Sequence, residues 1–446
     1  MKIIIAGAGD VGFHLAQLLS YENKDIVLID TNQEVLDYAT THLDVLTLRG
    51  DASAIDILKQ AEAGRAQLVL AVTTSEKTNL VTAILAKKLG AHTTIARVRS
   101  QEYLEEDQRT IFEELGIDVL ISPRKLAAEE IHRLVNQCTF TDHFEFEDGK
   151  MSLVGITLDA YSRFANQAVG TIAPLKSVPL LRPIAILRGH QTIIPRSDTV
   201  LRPNDHIYFI THKEYISQLV AAIGKKPIKV RRIMILGGSD LSYATAKKLE
   251  VDYNVTLVEK DKNVCKQLSE YLNNTLIING DCSDIELLEE EGLNQMDAFI
   301  ALTKNSETNI ITSLTAKNHG VYKTIAQVEN KDYIHLSQNI GVDTLINKKL
   351  IAANNIFRFV RKGKVEALAS LHGVDAEVIE YEVHKKNQLT KKPLKDLHFP
   401  KTALIGGVIR GEESLIPDGN FQLQVQDKVI VFALPDAIHR LEKIFR

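Results

Sequence analysis

Lys2-Ile3-Ile4-Ile5-Ala6-Gly7-Ala8-Gly9-Asp10-Val11-Gly12, followed by Asp25-Ile26-Val27-Leu28-Ile29-Asp30, is the stretch that decides the fold. Lys2 to Ala6 is an apolar run of strand length. The glycine-rich segment opens an amphipathic helix carrying Val11, Leu15, Leu18 and Leu19, and the second apolar run ends in an acid. Strand, GxGxxG, helix, strand and acid in that order form the full context of a dinucleotide site. Gly7 makes the tight turn, Gly9 lets a pyrophosphate reach the backbone, and Gly12 lets helix and strand approach closely. Phosphate would sit on the helix N-terminus, where unpaired amides point at it and the dipole favours negative charge. Asp30, 23 positions after Gly7, can accept from a ribose hydroxyl pair and would repel a 2′-phosphate. A bare GxGxxG also occurs in plain βαβ units; here both strands and the acid are in place.

The chain has 446 residues, a length that predicts about two to four domains. Apolar residues make up 45% and charged residues 25%, the mix of an ordinary globular protein. A net charge of −4 gives no bulk attraction to nucleic acid or acidic lipid, so no nucleic-acid partner is expected. No apolar run reaches the ~18 residues of a spanning helix, and no basic-then-apolar start suggests a signal peptide. Cys138, Cys265 and Cys282 are odd in number and lack CxxC spacing. They predict reduced, mostly buried thiols and a cytoplasmic protein, not a disulfide or zinc framework.

From Asp30 the alternation continues. Helices are expected from about Gln33 to Thr41, Ala54 to Gln60, Asn79 to Leu89, Tyr103 to Leu115 and Lys125 to Val135. Strands are expected at Asp44–Leu48, Gln67–Val72, Thr93–Val98 and Ile117–Ile121. Short apolar strands alternating with helices predict an α/β, doubly wound parallel sheet of Rossmann type, with the ligand at the carboxyl ends of the strands. Gly7–Gly12, Asp30, Gly50-Asp51, Thr73-Thr74 and Arg97 all sit at such ends. Near residue 140 the texture changes to strands around Phe144–Glu147, Leu153–Leu158, Ile184–Arg188 and His206–Ile210, closed by a helix at Lys213–Ile223. This predicts a small α+β domain, after which Gly224-Lys225-Lys226-Pro227 reads as a linker.

The pattern then repeats. Lys229–Leu236 is a strand, and Gly237-Gly238-Ser239-Asp240-Leu241-Ser242 stands where the first fingerprint stood. Gly237, Asp281, Thr303 and Asn309 match Gly7, Asp51, Thr73 and Asn79 at one offset of 230, and Glu259 stands one short of the Asp30 match. Leu115-Gly116-Ile117-Asp118 recurs as Ile340-Gly341-Val342-Asp343, and Ala127-Ala128 as Ala352-Ala353. Arg188, Ile194 and Asp205 recur as Arg410, Ile416 and Asp427. One register held over so many positions is a tandem duplication. The expected domains are 1–137 and 229–362, both Rossmann-like, and 138–225 and 363–446, both small α+β units.

Two Rossmann units, each trailed by a small α+β domain, resemble the TrkA family, the cytosolic regulatory subunits of bacterial Trk potassium-uptake systems built from two RCK domains. The resemblance is carried by Met1–Gly12, by Ala71-Val72-Thr73-Thr74-Ser75-Glu76-Lys77-Thr78-Asn79, and by Ile95-Ala96-Arg97-Val98-Arg99-Ser100, within a duplication that spans the chain. It implies a gating ring, commonly a tetramer, docked on the cytoplasmic face of a potassium-conducting membrane subunit. It also implies NAD or NADH and ADP or ATP as regulatory ligands, and a crossover after Arg99 that exchanges between neighbouring units.

On this reading Gly7, Ala8, Gly9 and Gly12, with the backbone of Asp10 and Val11, would hold phosphate and Asp30 the adenosine ribose. Thr73 and Thr74 close the fourth strand where the second ribose or nicotinamide would lie. Arg97 is a bidentate phosphate contact or a surface salt bridge. Arg99, two residues on and so on the same strand face, is a second phosphate contact or an intersubunit ion pair. Asp51 and Glu76 contact the ligand or cap the following helices. In the second repeat Gly237, Gly238 and Glu259 remain. There Ser239 and Ser242 replace Gly9 and Gly12, and Gln327 and Glu329 replace Arg97 and Arg99, which makes a triphosphate costly. No HExxH, GxSxG or Walker A pattern appears and the histidines are scattered, so no catalysis is expected. An NAD-dependent oxidoreductase is the rival reading, and a nucleotide-blind scaffold a third. Lys385-Lys386 and Lys391-Lys392 are expected to be solvated faces.

Overall fold

A computed structural model describes the chain except residues 1, 21–23, 101, 137–139, 141, 160, 173–180, 190, 225–227, 331–332, 334–340, 362–366, 371–375, 387, 398 and 446. Cys138, most of the expected linker after Gly224, and Ile340 therefore lie outside the described residues. The chain divides into two compact units, Met1–Glu129 with Asn347–Arg361, and Glu130–Ile346 with Lys362–Arg446.

In the first unit, strands β1 (Lys2–Ala6), β2 (Asp25–Asp30), β3 (Leu46–Arg49), β4 (Leu68–Ala71), β5 (Thr93–Arg97) and β6 (Val119–Ile121) form one sheet in the order β3-β2-β1-β4-β5-β6. Every pairing in it is parallel. Between the strands run α1 (Asp10–Ser20), α2 (Gln33–His42), α3 (Ile55–Gln60), α4 (Glu76–Leu89) and α5 (Glu106–Glu114), and α6 (Pro123–Asn136) follows β6. Helices on both faces explain why β1 and β4 read as unbroken apolar runs: Ile3, Ile4, Ile5, Leu70 and Ala71 are all fully buried. Strand order reverses between β1 and β4, and the crevice at such a switch point is where α/β sheets hold ligands.

The second unit begins with β7 (Asp142–Phe146), β8 (Met151–Thr157), β9 (Leu181–Arg188), β10 (Gln191–Ile193) and β11 (His206–Thr211), an antiparallel sheet closed by α7 (Ile216–Ile223). A parallel sheet follows, comprising β12 (Arg232–Leu236), β13 (Asn254–Glu259), β14 (Thr275–Asn279), β15 (Ala298–Ala301), β16 (Lys323–Gln327) and β17 (Thr344–Ile346). The order β14-β13-β12-β15-β16-β17 copies the first sheet strand for strand. Its helices are α8 (Asp240–Leu249), α9 (Lys262–Tyr271), α10 (Ile285–Glu290) and α11 (Ser306–Asn318).

Next in the chain, α12 (Lys348–Arg361) joins the first unit and packs on α1. The second small sheet then comprises β18 (Ala367–Ser370), β19 (Glu377–Glu382), β20 (Ala403–Arg410), β21 (Glu413–Leu415) and β22 (Lys428–Ala433), with α13 (Gln388–Lys391) and α14 (Pro435–Phe445). The two small sheets share one core, in which Met151, Ile184 and Ile210 meet Val378, Ile430 and Phe432. A Cβ on Gly407 would lie 2.3 Å from the Met151 sulfur, so a side chain there would require the Met151 thioether to move.

Several elements differ from expectation. Helix α4 starts at Glu76, three residues early, because the Ser75 hydroxyl accepts the Thr78 amide at 3.2 Å and nucleates the turn. The segment expected as one helix from Tyr103 is a 3₁₀ turn at Glu102–Leu104 followed by α5. Strand β10 was not expected at all, since three residues after a turn carry too little pattern to be read.

Candidate nucleotide-binding site

The fingerprint glycines are required for different reasons. Gly7 has φ +105°, and a Cβ there would lie 2.9 Å from the Thr73 backbone. A Cβ on Gly12 would lie 1.7 Å from the Gly7 carbonyl oxygen. Packing dictates both positions, and at Gly7 the left-handed backbone does so as well. At Gly9 a Cβ would meet nothing within 4 Å, so its missing side chain leaves space in front of the α1 N-terminus. Asp30 closes the loop from below: one carboxylate oxygen accepts the Ala8 amide at 2.7 Å and the other accepts the Asn32 amide at 2.9 Å.

Across the switch point, Asn79 joins the ends of β4 and β5. Its Oδ1 accepts the Thr73 amide (2.8 Å) and hydroxyl (2.7 Å), and its Nδ2 donates to the carbonyls of Thr73 (3.1 Å) and Arg97 (2.9 Å). Thr74 next to it is exposed. Arg97 is half-buried, and burial first, then the neighbouring Arg99 cation, lowers its guanidinium below the ordinary value. Among the described residues neither Arg97 nor Arg99 has an ion-pair partner, so the salt-bridge alternative finds no acid there.

Three details depart from the sequence expectation. Strand β5 ends at Arg97, so Arg99 lies in the loop beyond it and shares no strand face. Glu76 does not cap its own helix: its carboxylate accepts the amides of Arg99 and Ser100 (2.8 Å for the latter) and pins that loop. Asp51 does not cap α3 either, whose N-cap is Ala54. Its Oδ1 accepts the Ser53 amide at 2.9 Å and hydroxyl at 2.7 Å, and these bonds hold its carboxyl below the usual range.

In the second repeat the frame survives and the open space does not. Gly237 keeps φ +92° against Thr303, and Asn309 repeats every bond of Asn79, to Thr303 and to the Gln327 carbonyl. Glu259 accepts the amides of Gly238 and Asp261 (2.8 Å for the latter). Ser239, in the place of Gly9, accepts the Ser242 amide at 3.2 Å and contacts the Ser242 hydroxyl at 2.9 Å. Gln327 donates to Glu329 at 3.0 Å where two cations stood before. Cys282 donates to the Val258 carbonyl beneath this loop, and burial pushes its thiol up to about 11; it and Cys265 are free and buried. Among the described residues no cluster of His, Cys, Asp and Glu fits a metal, and no helix is long and apolar enough to cross a membrane.

The TrkA-N domain family matches residues 3–123 and 233–348, and the TrkA-C domain family matches 153–224 and 378–446. The chain belongs to the TrkA family. A Trk system potassium uptake protein TrkA homolog of Archaeoglobus fulgidus is 35% identical, with 100% of both chains covered. The Trk system potassium uptake proteins TrkA of Halomonas elongata and Haemophilus influenzae are 33% and 32% identical, over 100% of this chain and 99% of theirs. Among solved structures the fold is similar to the GsuK RCK domain (TM-score 0.60, 15% identity, 100% of this chain and 94% of that one). It is similar also to the GsuK channel bound to NAD (TM-score 0.61, 16% identity, 100% and 78% coverage). The TrkA-N and TrkA-C matches thus alternate twice along the chain.

Sequence reading missed the bridging role of Asn79. The available signal is an asparagine six residues after a threonine in both repeats, which marks repeat register and the family motif but not the bridge.

Proposed function

We propose that this TrkA-family chain is the nucleotide-sensing regulatory subunit of a Trk-type potassium-uptake system. It binds NAD or NADH, or ADP or ATP, in its first repeat. It acts at the cytoplasmic face of a potassium-conducting membrane subunit, as part of a homo-oligomeric gating ring, a tetramer by family resemblance. One observation carries the reading: in the first repeat Gly9 leaves open space before α1, while Arg97 and Arg99, without ion-pair partners among the described residues, lie at and just beyond the carboxyl end of β5. Potassium uptake rests on the names of full-length relatives.

Within the site, the amides behind Gly9 and Val11 would receive phosphate, Asp30 the adenosine ribose, and Arg97 and Arg99 the remaining phosphate charge. Thr73 and Thr74 would border the second ribose. Gly237, Gly238 and Glu259 keep a ribose acceptor in the second repeat without the phosphate charge to match, so that site is weak or empty. Regulation is linkage: a nucleotide shifts the ring only by its differential affinity for two ring states.

Calorimetric titration of the full chain with NADH and with ATP tests this. Saturable binding at one tight site per chain, without NADH oxidation, supports the sensor. Two equal tight sites would overturn the asymmetry, no binding would leave a scaffold, and turnover of NADH would favour the oxidoreductase. The chain has no tryptophan, so nicotinamide fluorescence reads the same titration with little background.

A further inference from the structure

Helix α12 belongs to the second repeat by sequence and to the first unit by packing. Its buried Ala352 and Ala353 allow a close approach to α1, and that approach brings Lys349 to the mouth of the first site. The Lys349 ammonium lies 2.7 Å from an Asp10 carboxylate oxygen. Asp10 is the first residue of α1 and the immediate neighbour of Gly9, where the space in front of the helix opens.

The position of this lysine runs against helix electrostatics. Lys349 sits in the first turn of α12, where the dipole disfavours a cation. It is fixed there because Asn347 Oδ1 accepts both its amide (2.9 Å) and that of Leu350 (3.2 Å). Two helix N-termini and an ammonium therefore converge on one locus, and Asp10 is an anion occupying it. The Asp10 side chain is 73% exposed, so the pair is well hydrated and exchangeable. In the first crossover the register counterpart of Lys349 is Arg124, one of whose terminal nitrogens donates to the Arg99 carbonyl at 2.6 Å. Lys349 is thus a second-repeat residue whose cation meets the fingerprint loop of the first.

A phosphate arriving at the Gly9 amides would meet the Asp10 charge beside it. We infer that Lys349 is a specificity-determining residue of the first-repeat site, exchanging the Asp10 carboxylate for the terminal phosphate of a nucleoside di- or triphosphate. This rests on the nucleotide-binding reading above. A dinucleotide such as NADH has only bridging phosphates and leaves the Lys349–Asp10 pair closed. The second repeat thereby reports which class of nucleotide occupies the first.

The test is titration of the full chain and of Lys349→Gln, Lys349→Arg and Asp10→Asn with ATP and with NADH, each variant's melting temperature being recorded. Expected for Lys349→Gln is about a tenfold loss of ATP affinity with NADH affinity held within about twofold. Lys349→Arg should restore ATP binding, and Asp10→Asn should not weaken it. Equal losses for ATP and NADH, or an ATP loss in Asp10→Asn matching that of Lys349→Gln, would show a structural strut and overturn the proposal. So would an unchanged ATP affinity in Lys349→Gln, or a wild-type chain that binds NADH but not ATP. A wild-type chain that binds neither nucleotide would instead sink the site reading itself.

Discussion

The Ser239 hydroxyl accepts the backbone amide of Ser242 at 3.2 Å, filling with protein the position that Gly9 leaves open one repeat earlier. A helix N-terminus needs a partner for its first amides, and a serine at the N-cap supplies one permanently. The second repeat has capped itself, whereas in the first no side chain at Gly9 can take that role.

Gly9→Ser should convert the first site into a copy of the second. Gly9 is outside the left-handed region and a Cβ there meets nothing, so the fold accepts the side chain. Nucleotide affinity should fall at least about tenfold while the melting temperature stays level or rises slightly. Calorimetry beside differential scanning fluorimetry reads both.

Asp30→Ala should weaken NADH by about tenfold to a hundredfold and also loosen the loop, because the Ala8 amide loses its acceptor. Arg97→Gln, which installs the second-repeat residue, should weaken binding and flatten its dependence on ionic strength, as removal of a screened cation requires. An unchanged salt slope in Arg97→Gln would place that guanidinium away from the phosphates.

Asn79→Ala should cost stability even without ligand. It strands the Thr73 amide and the Arg97 carbonyl at a buried position, a loss of about 2–3 kcal/mol in urea denaturation. Asn309→Ala should cost about the same, since its bonds are the same. Only Asn79→Ala should also impair nucleotide binding.

In the small domains Arg188 holds Asp205 through two bonds of 2.8 and 2.7 Å, and Arg410 holds Asp427 at 2.8 Å twice. Both aspartates are almost wholly buried. Arg188→Ala should destabilise by about 3–5 kcal/mol, because it leaves an uncompensated buried charge. Replacing both members of the pair with apolar residues should recover much of that loss.

Acid should act through Glu250. Burial pushes its carboxyl up, but the Asn274 amide, Lys247 and the Thr275 hydroxyl together hold it below its ordinary value of 4.5. A depressed folded pKa gives stability that is complete above the unfolded value and is lost as pH falls through the folded one. Melting temperature should therefore decline below about pH 4.5, and Glu250→Gln should be less stable at neutral pH and show a shallower acid limb.

Most of the architecture was legible because its signals are local and doubled. Apolar strands, glycine turns and a terminal acid recur at one offset, and the register fixes the domain order without any tertiary information. The first site was legible for the same reason, as Gly7, Gly9, Asp30 and Arg97 all lie at strand ends. What escaped were relations across sequence distance. Glu76 holds the Arg99 loop through amides that no side-chain pattern announces, and Arg99 looked like a strand residue until β5 stopped at Arg97. Lys349 reaches Asp10 only because α12 crosses to α1, and residues so far apart leave no periodic trace of their meeting.

That crossing also sets a timetable for synthesis. A ribosome that has finished Glu129 has made the sheet of the first unit but not the helix that covers α1, since α12 ends at Arg361. At about 5–20 residues per second, the missing piece emerges some tens of seconds later. Until then Val11, Leu15 and Leu19 lie in a helix with one neighbour absent.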